Sequence, residues 1–139
     1  KPLKSTSLMS FKEIAVGDHS FQEKEKPMRL KDLIENPLIS LGQGSTTYEF
    51  YSKFFLENDL VLSPDTEVET IDQVLPLIMN GLGIGFLPEL FVRPVIEEGK
   101  VCQIPLKENI PEREICLVEN HTFPPSIAAD MFKKMLLLK

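Results

Sequence analysis

Histidine and cysteine are scarce, with two of each in 139 residues. His19 and His121 fall in turn-like stretches, and neither stands in a metal-ligand spacing with a cysteine. His19 follows Asp18 and is read as a solvated or locally hydrogen-bonded loop residue. Cys102 and Cys116 lie too far apart for a redox or zinc motif. Each sits in an apolar run, Val-Cys-Gln-Ile and Ile-Cys-Leu-Val, so both are expected to be reduced core residues. Gly-x-Ser-x-Gly, the phosphate-binding Gly-x-x-x-x-Gly-Lys and the dinucleotide fingerprint are all missing. Gly81-Leu82-Gly83-Ile84-Gly85 has the wrong spacing for the last of these and follows a helix. No catalytic residue, metal ligand or cofactor is therefore expected, and binding is easier to argue than catalysis.

Basic residues are also short. Fifteen Lys and Arg face 21 Asp and Glu, for a net charge of −6. A nucleic-acid backbone or an anionic membrane calls for clustered Lys and Arg, so neither is an expected partner of this chain. No apolar run reaches the length of a membrane-spanning helix, and the first residues do not read as a signal peptide. A cytoplasmic location follows as an expectation. The chain starts Lys-Pro-Leu-Lys without methionine, which predicts a fragment of a longer protein.

What is present is an ordinary globular composition, 42% apolar and 26% charged, at one-domain length. The stretch from Glu67 to Pro88 organises it. Val68 ends a short strand, and Thr70 is placed to cap a helix, with Asp72 and Gln73 in its first turn. Ile71, Val74, Leu75 and Ile78 give that helix one apolar face. Pro76 lacks an N–H and is expected to bend or loosen it. Gly81 stops the helix, and Ile84–Leu87 is a short buried strand ended by Pro88. Gly83 and Gly85 leave room for another segment or a ligand.

Along the rest of the chain, residues 1–10 read as a poorly ordered start or an edge segment. A strand is predicted over 11–16, a turn over 17–20, a charged loop over 22–27 and a short helix over 29–34. Leu38–Leu41 is a strand, Gly42-Gln43-Gly44 a flexible turn, and Ser45 caps a helix reaching Asn58. Tyr48, Tyr51, Phe54 and Phe55 fall on one face of that helix, and core packing suits them better than base stacking. A strand over 61–68 is interrupted by Ser63-Pro64. A helix over 89–97 has Pro94 as a breaking point. An edge strand spans 101–106, a long buried strand 113–118, and a last helix runs from the Ser126 cap to Lys139 with Ile127, Met131, Met135 and Leu138 on one face. Strands alternating with helices predict an α/β domain with a mostly parallel sheet and helices on both faces.

In such a sheet, helix starts that follow strands gather at the carboxyl edge, where ligands bind. Gly44, Ser45, Thr46 and Thr70 are the candidate ligand contacts, offering N–H groups and hydroxyls to a carboxylate or similar anion. Phe86 is the candidate apolar wall. Ser45 and Thr70 serve equally well as plain caps on this reading.

The stretch from Thr70 to Pro88 resembles the most recognisable segment of the effector-binding domain of LysR-type transcriptional regulators. Residues 37–45, 110–118 and 17–21 resemble three further stretches of that family in the same order; Ser20 stands where the family's Asp-His-Pro-Leu loop has proline. The resemblance implies a periplasmic-binding-protein-like (type II) fold, with the second subdomain complete over 17–110. Residues 1–16 and 111–139 would hold the crossing strands (11–16 and 112–118) and a remnant of the first. It implies a small-molecule effector bound at 44–46 and around Thr70, DNA contact only through an absent N-terminal winged helix-turn-helix, and a homodimer or higher homo-oligomer. With much of the first subdomain missing, effector affinity is expected to be weak. The apolar face of the last helix is expected to be exposed and to drive self-association. A fragment of a solute-binding transport protein is the alternative, and a small α/β enzyme a third.

Overall fold

A computed structural model describes residues 2–22 and 26–138. Residues 23–25, half of the charged loop predicted over 22–27, lie outside the described residues. The chain divides into two compact units, Lys12–Pro111 and the pairing of Lys1–Phe11 with Glu112–Lys139.

The larger unit holds strands β2 (Glu13–Gly17), β3 (Leu38–Leu41), β4 (Thr66–Val68), β5 (Ile84–Pro88) and β6 (Cys102–Ile104), ordered β4-β3-β5-β2-β6. β3 runs parallel to β4 and β5, and β2 is antiparallel to both its neighbours. Side chains alternate across the sheet. Ala15, Leu38, Ile84, Phe86 and Ile104 pack on one face with Leu30 and Leu33 of α1 (Leu30–Leu33) and Tyr51, Phe54 and Phe55 of α2 (Thr46–Glu57). Ile14, Val16, Ile39 and Leu87 pack on the other with Val74 and Ile78 of α3 (Val74–Met79) and Val92 of α4 (Glu89–Glu97). Full burial of side chains like these stabilises by about 1.5–3 kcal/mol each. Helices therefore cover both faces, and the aromatic stripe of α2 is core.

The room left by two glycines is taken by protein. A Cβ on Gly83 would lie 2.5 Å from the Pro37 oxygen, and one on Gly85 2.6 Å from Val74 Cγ1. Pro76, expected to bend or loosen the helix, falls in the first turn of α3, where no N–H is needed, after a 3-10 turn over Ile71–Gln73. Pro94 does not break α4. It faces solvent, so the Leu90 carbonyl it leaves unbonded can meet water. The strand expected over 61–68 shrinks to Thr66–Val68, because Ser63-Pro64 ends its pairing and Leu62 turns into the core.

The smaller unit is a two-stranded antiparallel ribbon of β1 (Leu3–Phe11) and β7 (Arg113–Asn120), with α5 (Ile127–Leu137). Of the two readings of the start, poorly ordered or an edge segment, the second holds: Leu3–Phe11 is a nine-residue strand with one open edge. The strand expected over 11–16 is broken at Lys12, with Phe11 ending β1 and Glu13 opening β2 in the larger sheet. β7 is not the buried strand that its apolar run suggested. Ile115, Cys116 and Val118 are exposed, because a ribbon of two strands leaves most of both faces open. Cys116 is therefore not a core cysteine, while Cys102 is half-buried and burial raises its thiol pKa.

Candidate functional site

The parallel strands β3 and β4 end together, with Leu41 opposite Val68. Just beyond, the Gly42 N–H donates to the Val68 carbonyl at 3.3 Å and ties the two strand ends. Each strand then leads into a helix start. Gly44 takes φ +93°, a conformation that suits glycine, and Ser45 follows as the N-cap of α2. The Ser45 hydroxyl accepts the Tyr48 N–H at 3.0 Å and donates to the Gly42 carbonyl at 2.9 Å. It is therefore engaged by its own loop, while Thr46, the first residue of α2, is exposed.

The second start is held by a capping box between Thr70 and Gln73. The Gln73 side chain accepts the Thr70 N–H at 3.1 Å and the Glu69 N–H at 2.9 Å. Gly44, Ser45, Thr46 and Thr70 thus come to one edge of the sheet, with Thr46 and Thr70 the exposed hydroxyls. β5 runs parallel to β3 and brings Pro88 to that edge, opposite Glu13. Phe86 is not on it. Its ring stacks on Tyr51 with centroids 4.5 Å apart and meets Phe55 edge-on, so it belongs to the core beneath α2.

Sequence reasoning assigned Gln73 only to a first helical turn. The Thr-x-x-Gln spacing was the signal for its bond back to Thr70. Glu67 gave no signal: a Cβ on Gly42 would lie 3.3 Å from Glu67 Oε2, so this carboxylate borders the first loop. Glu67, Glu69 and Asp72 line a shallow groove of about 500 Å3 with Val68, Gln73, Pro76 and Leu77. The positive ends of two helices are therefore set among carboxylates. Elsewhere, Asp18 bonds Ser20 rather than His19. It accepts the Ser20 N–H at 2.9 Å and hydroxyl at 2.6 Å, and these bonds lower its pKa. Ser20 thus closes the turn with a bond that proline would not supply. Among the described residues, no group of three or more His, Cys, Asp or Glu is placed to hold a metal. None of their helices is long and apolar enough to cross a membrane.

The model of the LysR substrate binding domain matches residues 3–137. Among curated proteins, the uncharacterized HTH-type transcriptional regulator YwqM of Bacillus subtilis is 29% identical over 100 residues, 72% of this chain and 33% of that protein. The HTH-type transcriptional activator CmpR of Synechocystis is 34% identical over 64 residues, 46% of this chain and 21% of that protein. The chain therefore spans about a third or less of the length of these relatives. Among solved structures, the effector-binding domain of QuiR in complex with shikimate gives a TM-score of 0.81 at 19% identity, covering 98% of this chain and 64% of that one. The regulatory domain of CcmR from Synechocystis in complex with 2-PG gives 0.83 at 14% identity, covering 97% and 65%. These likenesses establish the fold, and the family match favours a regulator over a solute-binding transport protein. With the match spanning residues 3–137, the chain belongs to the LysR substrate binding domain family, the effector-binding part of LysR-type transcriptional regulators.

Proposed function

We propose that this chain senses a small organic acid at the shared edge of β3 and β4, through Gly44, Ser45, Thr46 and Thr70. The observation that carries this is the pairing of Leu41 with Val68, which brings two helix starts to one edge. N–H groups at helix starts suit an anion, and the hydroxyls of Thr46 and Thr70 suit a ligand with hydroxyl or carboxyl oxygens. Glu67, Glu69 and Asp72 border the same edge, so a dianion meets more repulsion than a monoanion. A singly charged, hydroxylated acid fits best. That QuiR and CcmR domains are solved with shikimate and 2-PG supports a small-molecule ligand. Phe86 keeps only a packing role.

In this reading the domain binds its ligand without turning it over, as suits the transcriptional regulators it resembles. The second effector subdomain, read as 17–110, falls within the compact unit Lys12–Pro111, and the ribbon and α5 belong to the first. Binding shifts the population between arrangements of the regulator, which works in the cytoplasm as a homo-oligomer and meets DNA only through a separate helix-turn-helix.

A thermal-shift titration against small carboxylates tests the site. A ligand of the folded state raises the melting temperature with concentration. The expected result is a rise with at least one hydroxylated monoacid, lost in Thr70→Ala and reduced in Thr46→Ala. A rise that both variants leave intact moves the site elsewhere, and no rise with any acid removes the proposed ligand class.

A further inference from the structure

Asn80-Gly81 is the one Asn-Gly pair in the sequence, and it forms the turn between α3 and β5. Asn80 is the C-cap of α3, with φ −94° and ψ 12°, and Gly81 follows at φ +74°. The Gly81 N–H donates to the Ile78 carbonyl at 3.0 Å and the Leu82 N–H to the Leu77 carbonyl at 3.1 Å, the paired bonds of a Schellman cap. The Asn80 side chain adds a further tie, its Nδ2 donating to the Pro76 carbonyl at 2.7 Å.

The same pair carries a reaction of its own. The Gly81 nitrogen can attack Asn80 Cγ, and with no side chain on residue 81 nothing crowds the approach. The N–Cγ bond forms, the Cγ–Nδ2 bond breaks, and Nδ2 leaves as ammonia carrying the proton from the Gly81 N–H. The product is a cyclic imide. Water opens it at either carbonyl and leaves aspartate or isoaspartate. Asn80 is exposed, so water reaches it.

The folded turn blocks the first step. Ring closure needs Cβ and the Gly81 nitrogen eclipsed about the Cα–C bond, and a ψ of 12° holds them far apart. The attacking nitrogen is tied to Ile78 and the leaving amide to Pro76. Reaction therefore requires the turn to open, and a surface turn opens far more often than the whole fold.

We propose that Asn80 is a modification site gated by this turn: each opening exposes it to conversion into aspartate or isoaspartate, and conversion weakens the turn for good. Conversion to aspartate removes the donor to Pro76. It also sets a negative charge at the C-terminal end of α3, where the helix dipole is already negative. The Asp18 carboxylate borders the same turn, since a Cβ on Gly81 would lie 3.2 Å from its Oδ2. Isoaspartate adds a carbon to the backbone just before Gly83, which fits tightly against Pro37.

Peptide mapping by mass spectrometry follows the conversion in the full chain at neutral pH, beside a synthetic peptide of residues 76–86. The chain is expected to convert at Asn80 about 10-fold more slowly than the peptide, or slower still. Urea below the unfolding transition should speed the chain and leave the peptide nearly unchanged. Asn80→Asp, a stand-in for one product, should lower the melting temperature by about 2–4 °C. No conversion in the peptide, equal rates in chain and peptide, a chain rate that urea leaves unchanged, or an unaltered melting temperature in Asn80→Asp would overturn the proposal.

Discussion

Gly83 lies against the carbonyl of Pro37, so closely that a Cβ there would sit 2.5 Å from the oxygen and 3.0 Å from the carbon. The approach lets the Ile84 N–H donate to Pro37 at 2.9 Å and starts β5 beside β3. Gly83 also holds φ +155°, which side chains rarely adopt. Gly83→Ala should lower stability by about 2–4 kcal/mol, strain and overpacking together. Gly99→Ala, at φ +75° with open space around it, should cost about 1 kcal/mol. Urea denaturation of the two variants tests the contrast. Equal losses would mean that the close approach contributes nothing.

The stacked pair of Tyr51 and Phe86 predicts a core defect rather than a binding defect. Phe86→Ala should cost about 3–5 kcal/mol and Phe86→Leu about 1–2 kcal/mol. Phe86→Leu should leave any ligand-induced rise in melting temperature unchanged. A lost rise in a folded Phe86→Leu protein would return this residue to the ligand site.

Gln73 predicts a milder loss. Its side chain takes two N–H groups at the start of the second helical segment, those of Glu69 and Thr70. Gln73→Ala should cost about 1 kcal/mol. Gln73→Glu keeps an acceptor and should recover most of it. Denaturation midpoints for both variants check this, and a full loss in Gln73→Glu would show that charge among neighbouring carboxylates outweighs the cap.

How far the sequence carries is visible in these same residues. The bounds of β3 were legible because Pro37 and Gly42 punctuate it, and the core face of α2 because aromatic spacing is local. The caps at Ser45 and Thr70 were legible as caps. That the Ser45 hydroxyl is engaged by Gly42 was not, since it depends on how the loop closes. The Glu108 carboxylate accepts the Leu30 N–H at the start of α1 from 78 residues away, and no local pattern marks it. The glycines at 83 and 85 announced a close approach without saying what approaches. In β7 the apolar run Ile115–Val118 signalled a strand in need of cover, and sequence alone could not say that its own unit supplies so little.

Lys133 and Glu119 give the last prediction. Lys133 Nζ lies 2.7 Å from Glu119 Oε1 and is a polar tie between α5 and β7. The bond from Lys133 holds the Glu119 carboxyl below its ordinary value of 4.5. A group whose pKa falls on folding stabilises the fold above its unfolded value and loses that contribution as pH drops through the folded value. The tie should therefore be intact at neutral pH and weaken progressively below about pH 4.5. Both side chains are partly open to solvent, so salt should weaken it as well. Hydrogen exchange in α5, followed from pH 6 to pH 3 with correction for the intrinsic rate, should show protection falling on the acid side. Lys133→Met should remove the part of that fall due to Glu119, and adding Glu119→Gln to it should change nothing further. An acid loss of the same size in Lys133→Met would show that α5 is held by contacts other than this pair.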